Sequence, residues 1–147
     1  MATAAAAAAE QCRVVERLRL AIVGCGQIVV HHIAALAALD EQFEVVALCD
    51  PSAERRTIIR ELLSSSQHNN TILSPQEGVA EYESLTDLLK NTSADECPVL
   101  FISVPHDLHA PLASQAMDAD RHVVMEKPLA PTNHRRVPLS LNKISPF

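Results

Sequence analysis

The chain has 147 residues, of which 48% are apolar and 20% charged, a balance typical of one globular domain rather than of a disordered segment. The formal net charge is −6 and aromatic residues make up only 3%. An acidic chain with few aromatic rings is poorly suited to nucleic acid or to an anionic membrane surface, so we expect neither as a partner. No apolar run reaches the length of a membrane span.

The cysteines and the amino terminus carry no sign of a secreted protein. The four cysteines, at positions 12, 25, 49 and 97, are widely spaced and form no Cys-x-x-Cys pair, so we expect buried thiols and no metal site. The Ala-rich stretch from Thr3 to Ala9 has no basic residues before it. We therefore expect a flexible leader over residues 1–17 and a cytoplasmic protein, with an organellar address as the alternative.

From residue 18 onward, short apolar runs alternate with helical patterns. Strands are predicted at 18–23, 43–49, 79–81, 98–104 and 122–125. Helices are predicted at 27–39, from Ser52 through Leu63, at 84–90 behind a Ser84–Asp87 capping box, and from about Asp107 with Pro111 in the first turn. Residues 64–78 are predicted as a loop, and Ile28, His32, Leu36 and Leu39 as the inner face of the first helix. The order predicts an α/β fold, a doubly wound parallel sheet with helices on both faces.

The segment Gly24-Cys25-Gly26-Gln27-Ile28-Val29 follows the first strand and opens the first helix, which is the context of a dinucleotide-binding turn. Gly24 permits the tight turn, and Gly26 lets a pyrophosphate approach the backbone. The free N–H groups where the helix starts, at Gln27 and Ile28, then face the phosphates. Val29 stands where the motif has Gly or Ala, so we expect it to push the helix outward. The alternative is a glycine-rich turn of another α/β protein.

Asp50 ends the second strand, 24 positions after Gly26, where an acidic side chain can accept hydrogen bonds from the adenosine ribose hydroxyls. The alternative is an ordinary turn aspartate before Pro51. The charge of Asp50 should repel a 2′-phosphate and favour NAD, whereas Arg55 and Arg56 are placed to offset that repulsion. Both NAD and NADP therefore stay open as cofactors.

Glu126-Lys127-Pro128 follows the fifth strand, at the edge of the sheet where open α/β folds bind ligands. A lysine there can donate a hydrogen bond to a substrate hydroxyl, or stabilise the charge that develops as hydride leaves. The alternative is a charged strand end without a chemical role.

Four stretches together resemble the N-terminal domain of the Gfo/Idh/MocA oxidoreductases, named for glucose–fructose oxidoreductase and inositol dehydrogenase. They are residues 21–26, 46–50, 102–105 with His109, and 122–128, and the resemblance runs from about Leu18 to Thr132. It implies that Gly24, Gly26 and Asp50 hold NAD or NADP. It also implies that Val104, Pro105 and His109 line the nicotinamide end, that Glu126 positions the cofactor and that Lys127 faces substrate. A helix-surface position is the equal alternative for His109, and His31, His32 and His106 are interpreted as structural or solvent-exposed.

In this family the chain continues into a second α/β domain that usually supplies a catalytic Asp/His pair, and residues 133–147 do not resemble its start. We therefore expect a leader (1–17), a Rossmann domain (18–132) and an irregular tail (133–147), with the second domain missing. The expected activity is oxidation or reduction at CH–OH groups of a sugar, polyol or diol, absent from this chain unless a second domain is supplied. A catalytically silent nucleotide-binding module and a non-functional fragment are the alternatives. A methyltransferase is a distant one, because the Glu-Lys-Pro strand end has no role there.

Overall fold

The computed structural model describes residues 17–39, 42–65 and 78–128. The predicted tail, residues 1–16 of the predicted leader and residues 66–77 of the predicted loop lie outside the described residues. The described part contains the strands β1 (Leu18–Val23), β2 (Phe43–Cys49), β3 (Ala80–Tyr82), β4 (Val99–Ile102) and β5 (His122–Met125). They alternate with the helices α1 (Gln27–Ala37), α2 (Ala53–Ser65), α3 (Leu85–Asn91) and α4 (His106–Asp118).

The strands form one parallel sheet in the order β3-β2-β1-β4-β5. The chain winds outward from β1 in one direction and then returns to continue from β4 in the other, so the predicted doubly wound α/β fold is confirmed. All the carboxyl ends meet at one edge, and the crevice between β1 and β4 is the point where such sheets bind ligands.

The core consists of two apolar layers, one on each face of the sheet. Ile22, Val29 and Ile59 belong to the layer between the sheet and the helices α1 and α2, and each is at most 1% exposed. Leu88, Leu100 and Ala116 pack under α3 and α4, and all three are fully buried. Burial on both faces explains why the inner strands read as continuous apolar runs.

The inner face of α1 differs from the predicted one. Val29, Ile33 and Ala37 are buried, whereas Ile28 is 48% exposed. Because residues 28–30 are all apolar, helical periodicity allows two stripes. The turn at Gly24 decides which of the two faces the sheet. Val29 is a core residue, and the predicted outward displacement of α1 stays a prediction.

Several element boundaries also differ. Helix α1 ends at Ala37, two residues early, and Ser64 and Ser65 belong to α2 rather than to the loop. Strand β4 ends at Ile102 instead of residue 104. Pro111 lies in the second turn of α4, not the first. The predicted N-cap is confirmed, since the Asp87 backbone N–H donates to Ser84 Oγ at 3.1 Å; the Asp87 carboxylate in turn accepts from the Ser84 hydroxyl at 2.7 Å.

A buried arginine that the sequence patterns did not single out anchors the start of β5. Arg121 is only 5% exposed, and its guanidinium donates to the carbonyl oxygens of Thr92, Ser93 and Cys97. These contacts tie β5 to the segment between α3 and β4, at the edge of the sheet opposite the predicted site.

Candidate dinucleotide site

The two glycines after β1 have different structural roles. Gly24 has φ +92°, and a Cβ there would lie 2.2 Å from the Ser103 carbonyl oxygen, so only glycine fits between β1 and β4. Gly26 has an ordinary φ of −78°, and a Cβ there would meet nothing within 4 Å among the described residues. The first glycine is therefore required by the fold, and the second faces open space where a ligand can approach.

Gly26 is also the N-cap of α1, and no side chain of the described residues caps it. The N–H groups at the start of the helix, including those of Gln27 and Ile28, have no acceptor within the helix itself. Free N–H groups with the positive end of the helix dipole favour a bound anion such as a pyrophosphate. The predicted residues Gly26, Gln27 and Ile28 thus lie together at the mouth of the crevice.

Asp50 is built into this turn and is only 6% exposed. One carboxylate oxygen accepts the Cys25 backbone N–H at 2.8 Å, and the other accepts the Ser52 backbone N–H at 2.8 Å. Each oxygen still has acceptor capacity, because a carboxylate offers about four lone-pair positions. Asp50 therefore fixes the glycine turn against the start of α2 and can still accept a ribose hydroxyl.

The two arginines behind Asp50 differ in their commitments. Arg56 is buried, donates to the Asp50 carbonyl, and pairs through Nε with Glu81 at 3.0 Å. Arg55 is exposed in the first turn of α2. The expectation that both arginines offset repulsion of a 2′-phosphate is thus not supported for Arg56, whose guanidinium already has partners in the protein.

The cysteines of this wall are poorly suited to act as nucleophiles. Burial, reinforced by the neighbouring Asp50 carboxylate, raises the pKa of Cys25 to about 12 and that of Cys49 to about 11. Cys97 is also a free, buried thiol. Since the thiolate is the reactive form, these three cysteines behave as small apolar residues, as predicted.

On the β4 side of the crevice, Val104 is half-buried, and Pro105 is exposed as the N-cap of α4. His109 is fully buried, so its predicted helix-surface alternative is wrong. Its Nε2 lies 2.9 Å from the Val104 carbonyl oxygen and its Nδ1 lies 2.8 Å from the Pro128 carbonyl oxygen. The ring acts on the crevice through the two backbone segments that it joins.

Glu126 and Lys127 follow β5 at the same edge. The Glu126 N–H donates to the Ile102 carbonyl, and Glu126 Oε1 lies 2.6 Å from His32 Nε2 on α1. Lys127 is exposed, and its peptide bond to Pro128 is cis. His32, which the sequence predicts to be structural or solvent-exposed, lies against Glu126 without a well-aligned hydrogen bond to it, and no local pattern links two residues 94 positions apart.

The predicted site residues therefore share one edge of the sheet, because each follows the carboxyl end of a parallel strand. Contacts join them across it: Asp50 to Cys25, Gly24 to Ser103, and His32 to Glu126. A separate open cleft of about 760 Å³, lined by residues such as Arg17, Glu44 and Asn91, lies at the opposite edge and contains none of them. No helix of the described residues is long and apolar enough to cross a bilayer.

The sequence model described as an oxidoreductase family with an NAD-binding Rossmann fold, GFO_IDH_MocA, matches residues 18–136. The chain belongs to this family. The resemblance predicted from the four stretches is thereby confirmed, and with it the NAD-binding character of the domain.

Among known proteins, inositol 2-dehydrogenase of Salmonella typhimurium is 30% identical over 115 residues, which are 78% of this chain and 30% of that protein. An uncharacterized oxidoreductase of Schizosaccharomyces pombe is 28% identical over 116 residues, 78% of this chain and 27% of that protein. The WlbA dehydrogenase from Bordetella pertussis, solved in complex with NADH and UDP-GlcNAcA, is 30% identical with a TM-score of 0.63. That match covers 78% of this chain and 30% of the dehydrogenase, so the chain spans under a third of the proteins that it resembles.

Proposed function

We propose that this chain binds a nicotinamide dinucleotide at the carboxyl edge of its sheet, as the cofactor domain of an oxidoreductase that acts on CH–OH groups of a sugar, polyol or diol. The observation that carries the proposal is the open, uncapped start of α1 at Gly26, fixed in place by Gly24 and Asp50. Such a site suits a pyrophosphate, although the chain as a whole is acidic.

The remaining site residues follow from this placement. Gly26, Gln27 and Ile28 hold the pyrophosphate through backbone N–H groups, and Asp50 accepts the ribose hydroxyls at the β2 end. The nicotinamide end extends past β1 toward Val104 and Pro105, where Glu126 helps to position it. The cofactor, when bound, supplies the hydride acceptor or donor.

We propose that NAD is preferred over NADP. The Asp50 carboxylate is held close to the place of the ribose by two backbone N–H groups, so it cannot turn away from a 2′-phosphate. Arg56 is engaged with Glu81 and the Asp50 carbonyl, which leaves the exposed Arg55 to offset the repulsion. One screened surface charge is a weak counterweight to a buried carboxylate.

Lys127 is proposed to face substrate and to donate a hydrogen bond to the oxygen at the reacting carbon, since it is exposed next to the crevice. The relatives named for inositol and solved with a nucleotide sugar favour a polyhydroxylated substrate. Proton transfer to or from that oxygen needs an acid–base group beside it. Because the matched residues cover only the cofactor domain, we propose that these 147 residues alone do not catalyse turnover of a substrate.

Calorimetric titration of the purified chain with NAD, NADH and NADP tests the proposal. Gly26→Asp should abolish binding, because a carboxylate would occupy the anion site, whereas Ala35→Asp adds the same charge at an exposed position of the same helix and should keep it. A folded wild-type sample that binds none of the three would contradict the proposal and favour the non-functional fragment. Turnover of NAD or NADP with a polyol by this chain would contradict the predicted inactivity.

A further inference from the structure

Lys127 lies beyond the end of a weakly supported strand. β5 has four residues, pairs only with β4 among the described strands, and leaves Val124 52% exposed. Lys127 is itself exposed, as are His122 and Val124 of the strand that precedes it. The residues on either side of Lys127, however, are both contacted by histidines.

The first contact comes from α4. The fully buried ring of His109 lies between the Val104 carbonyl oxygen, 2.9 Å from Nε2, and the Pro128 carbonyl oxygen, 2.8 Å from Nδ1. Both oxygens are acceptors and a neutral imidazole carries one N–H, so the ring donates to the Pro128 carbonyl in its Nδ1–H tautomer and to the Val104 carbonyl in its Nε2–H tautomer. The Nδ1–H tautomer ties the residue after Lys127 to α4.

The second contact comes from the opposite helix layer. His32 Nε2 lies 2.6 Å from Glu126 Oε1, and the His32 ring meets Phe101 of β4 edge-on at a centroid distance of 4.9 Å. His32 belongs to α1, the helix whose start is the proposed pyrophosphate site. The side chain of the residue before Lys127 is therefore in close polar contact with the cofactor helix.

We propose that His32 and His109 are positioning residues that hold Lys127 at a fixed place relative to the cofactor, one from each face of the sheet. This inference rests on the proposed function in taking Lys127 as the substrate-facing group. Its physical basis is that a displacement of about 1 Å in a reacting group can cost about 100-fold in rate. Two contacts on the neighbouring residues fix the backbone of Lys127 without occupying its amino group.

The first test is amide hydrogen exchange of the whole chain by NMR, with the Glu126 amide as the reporter because it donates to the Ile102 carbonyl. His109→Asn places an amide nitrogen near the position of Nδ1 and can still donate to Pro128. His109→Gln places it near Nε2 and can donate only to Val104. Glu126 exchange should rise about tenfold in the Gln variant, the loss expected for one hydrogen bond, and stay near wild type in the Asn variant.

The same exchange measurement tests the contact between His32 and Glu126. His32→Leu should accelerate Glu126 exchange, whereas His31→Leu, at an exposed position of the same helix, should not. Exchange of the core amides of Ile22 and Leu48 should be unchanged in all variants, which separates local release from global loss of stability. Unchanged Glu126 exchange in both His109→Gln and His32→Leu would overturn the proposal. If both His109 variants unfold, His32→Leu decides.

The second test measures the position of the Lys127 side chain relative to the bound cofactor. With NADH bound, a nuclear Overhauser contact between the nicotinamide protons and the Lys127 side chain should be present in wild type and His109→Asn, and lost in His109→Gln. A contact that persists in His109→Gln would overturn the positioning role. Failure of wild type to bind NADH would instead refute the proposed function, while the exchange measurement would still decide whether the histidines hold this segment.

Discussion

The two walls of the crevice are constructed differently. On one wall, Gly24 and Asp50 are fixed by backbone contacts and are almost fully buried. On the other, Lys127 follows an edge strand and is flanked by contacts from two histidine side chains. The wall that receives the cofactor is thus part of the fold itself. The wall that carries the reactive amine depends on a few side chains, so mutations should change stability at the first wall and position at the second.

The strongest way to break the first wall is Gly24→Ala. The backbone is at φ +92° and the new Cβ would lie 2.2 Å from the Ser103 carbonyl oxygen, so strain adds to a collision between backbones. We expect a loss of at least about 3 kcal/mol in the free energy of unfolding, or no folded protein. Gly26→Ala is the matched control, since nothing lies within 4 Å of its Cβ. It should stay folded in urea titrations and lose dinucleotide affinity. Equal stability of the two variants would contradict this division of labour.

Strand β5, which leads to the second wall, is anchored at its far end by the buried Arg121. Arg121→Met leaves the carbonyl oxygens of Thr92, Ser93 and Cys97 without this donor, and we expect a loss of about 3 kcal/mol. Arg60→Met is the control, because Arg60 is an exposed partner of Glu81 and should cost less than about 1 kcal/mol. If thermal unfolding shows equal losses for the two, the guanidinium is not an anchor.

The contrast between the walls also explains what the sequence could predict. Strands β1, β2 and β5 begin and end at the predicted residues, because each is an apolar run closed by a local signal: glycine after β1, Asp-Pro after β2 and a charged Glu-Lys pair after β5. The turn at Gly24 was predictable for the same reason, because a positive φ favours glycine and the residue type therefore indicates the turn. The edge shared by Gly26, Asp50 and Lys127 follows from parallel strand order alone.

Features that depend on contacts between distant residues could not be predicted. His109 had two equal interpretations, and its burial depends on carbonyl groups that only the folded chain brings to it. His32 and Arg121 show no motif, since their partners lie far along the sequence. The inner stripe of α1 was misassigned because three consecutive apolar residues fit either of two helical faces.

A smaller change at the first wall is Asp50→Asn. The amide keeps one acceptor oxygen and turns its NH₂ toward the N–H of either Cys25 or Ser52, so we expect a loss of about 2 kcal/mol by urea titration. The ratio of NADP to NAD affinity should rise, because the fixed negative charge is gone. Asp118→Asn, at an exposed position, should change neither quantity. A stable variant with unaltered cofactor preference would show that Asp50 is not the residue that selects NAD.

The smallest effect concerns the thiols, which report how often each half of the molecule opens. Burial, with the Asp50 carboxylate next in importance, raises the pKa of Cys25 to about 12, and burial raises that of Cys97 to about 11. In a Cys12→Ser background, alkylation by iodoacetamide at pH 8 should therefore be slow at the described cysteines and become fast in urea, as peptide mapping would show. Because unfolded thiols lose their protons near their ordinary pKa of 9.0 and the folded ones only at higher pH, the free energy of unfolding should decline as pH rises from about 9 toward 12. Cys25 should be the slowest to react, since it belongs to the wall fixed by backbone contacts. Faster alkylation at Cys25 than at Cys97 would mean that the cofactor wall opens more readily than the β4 side, contrary to the expected order of local stability.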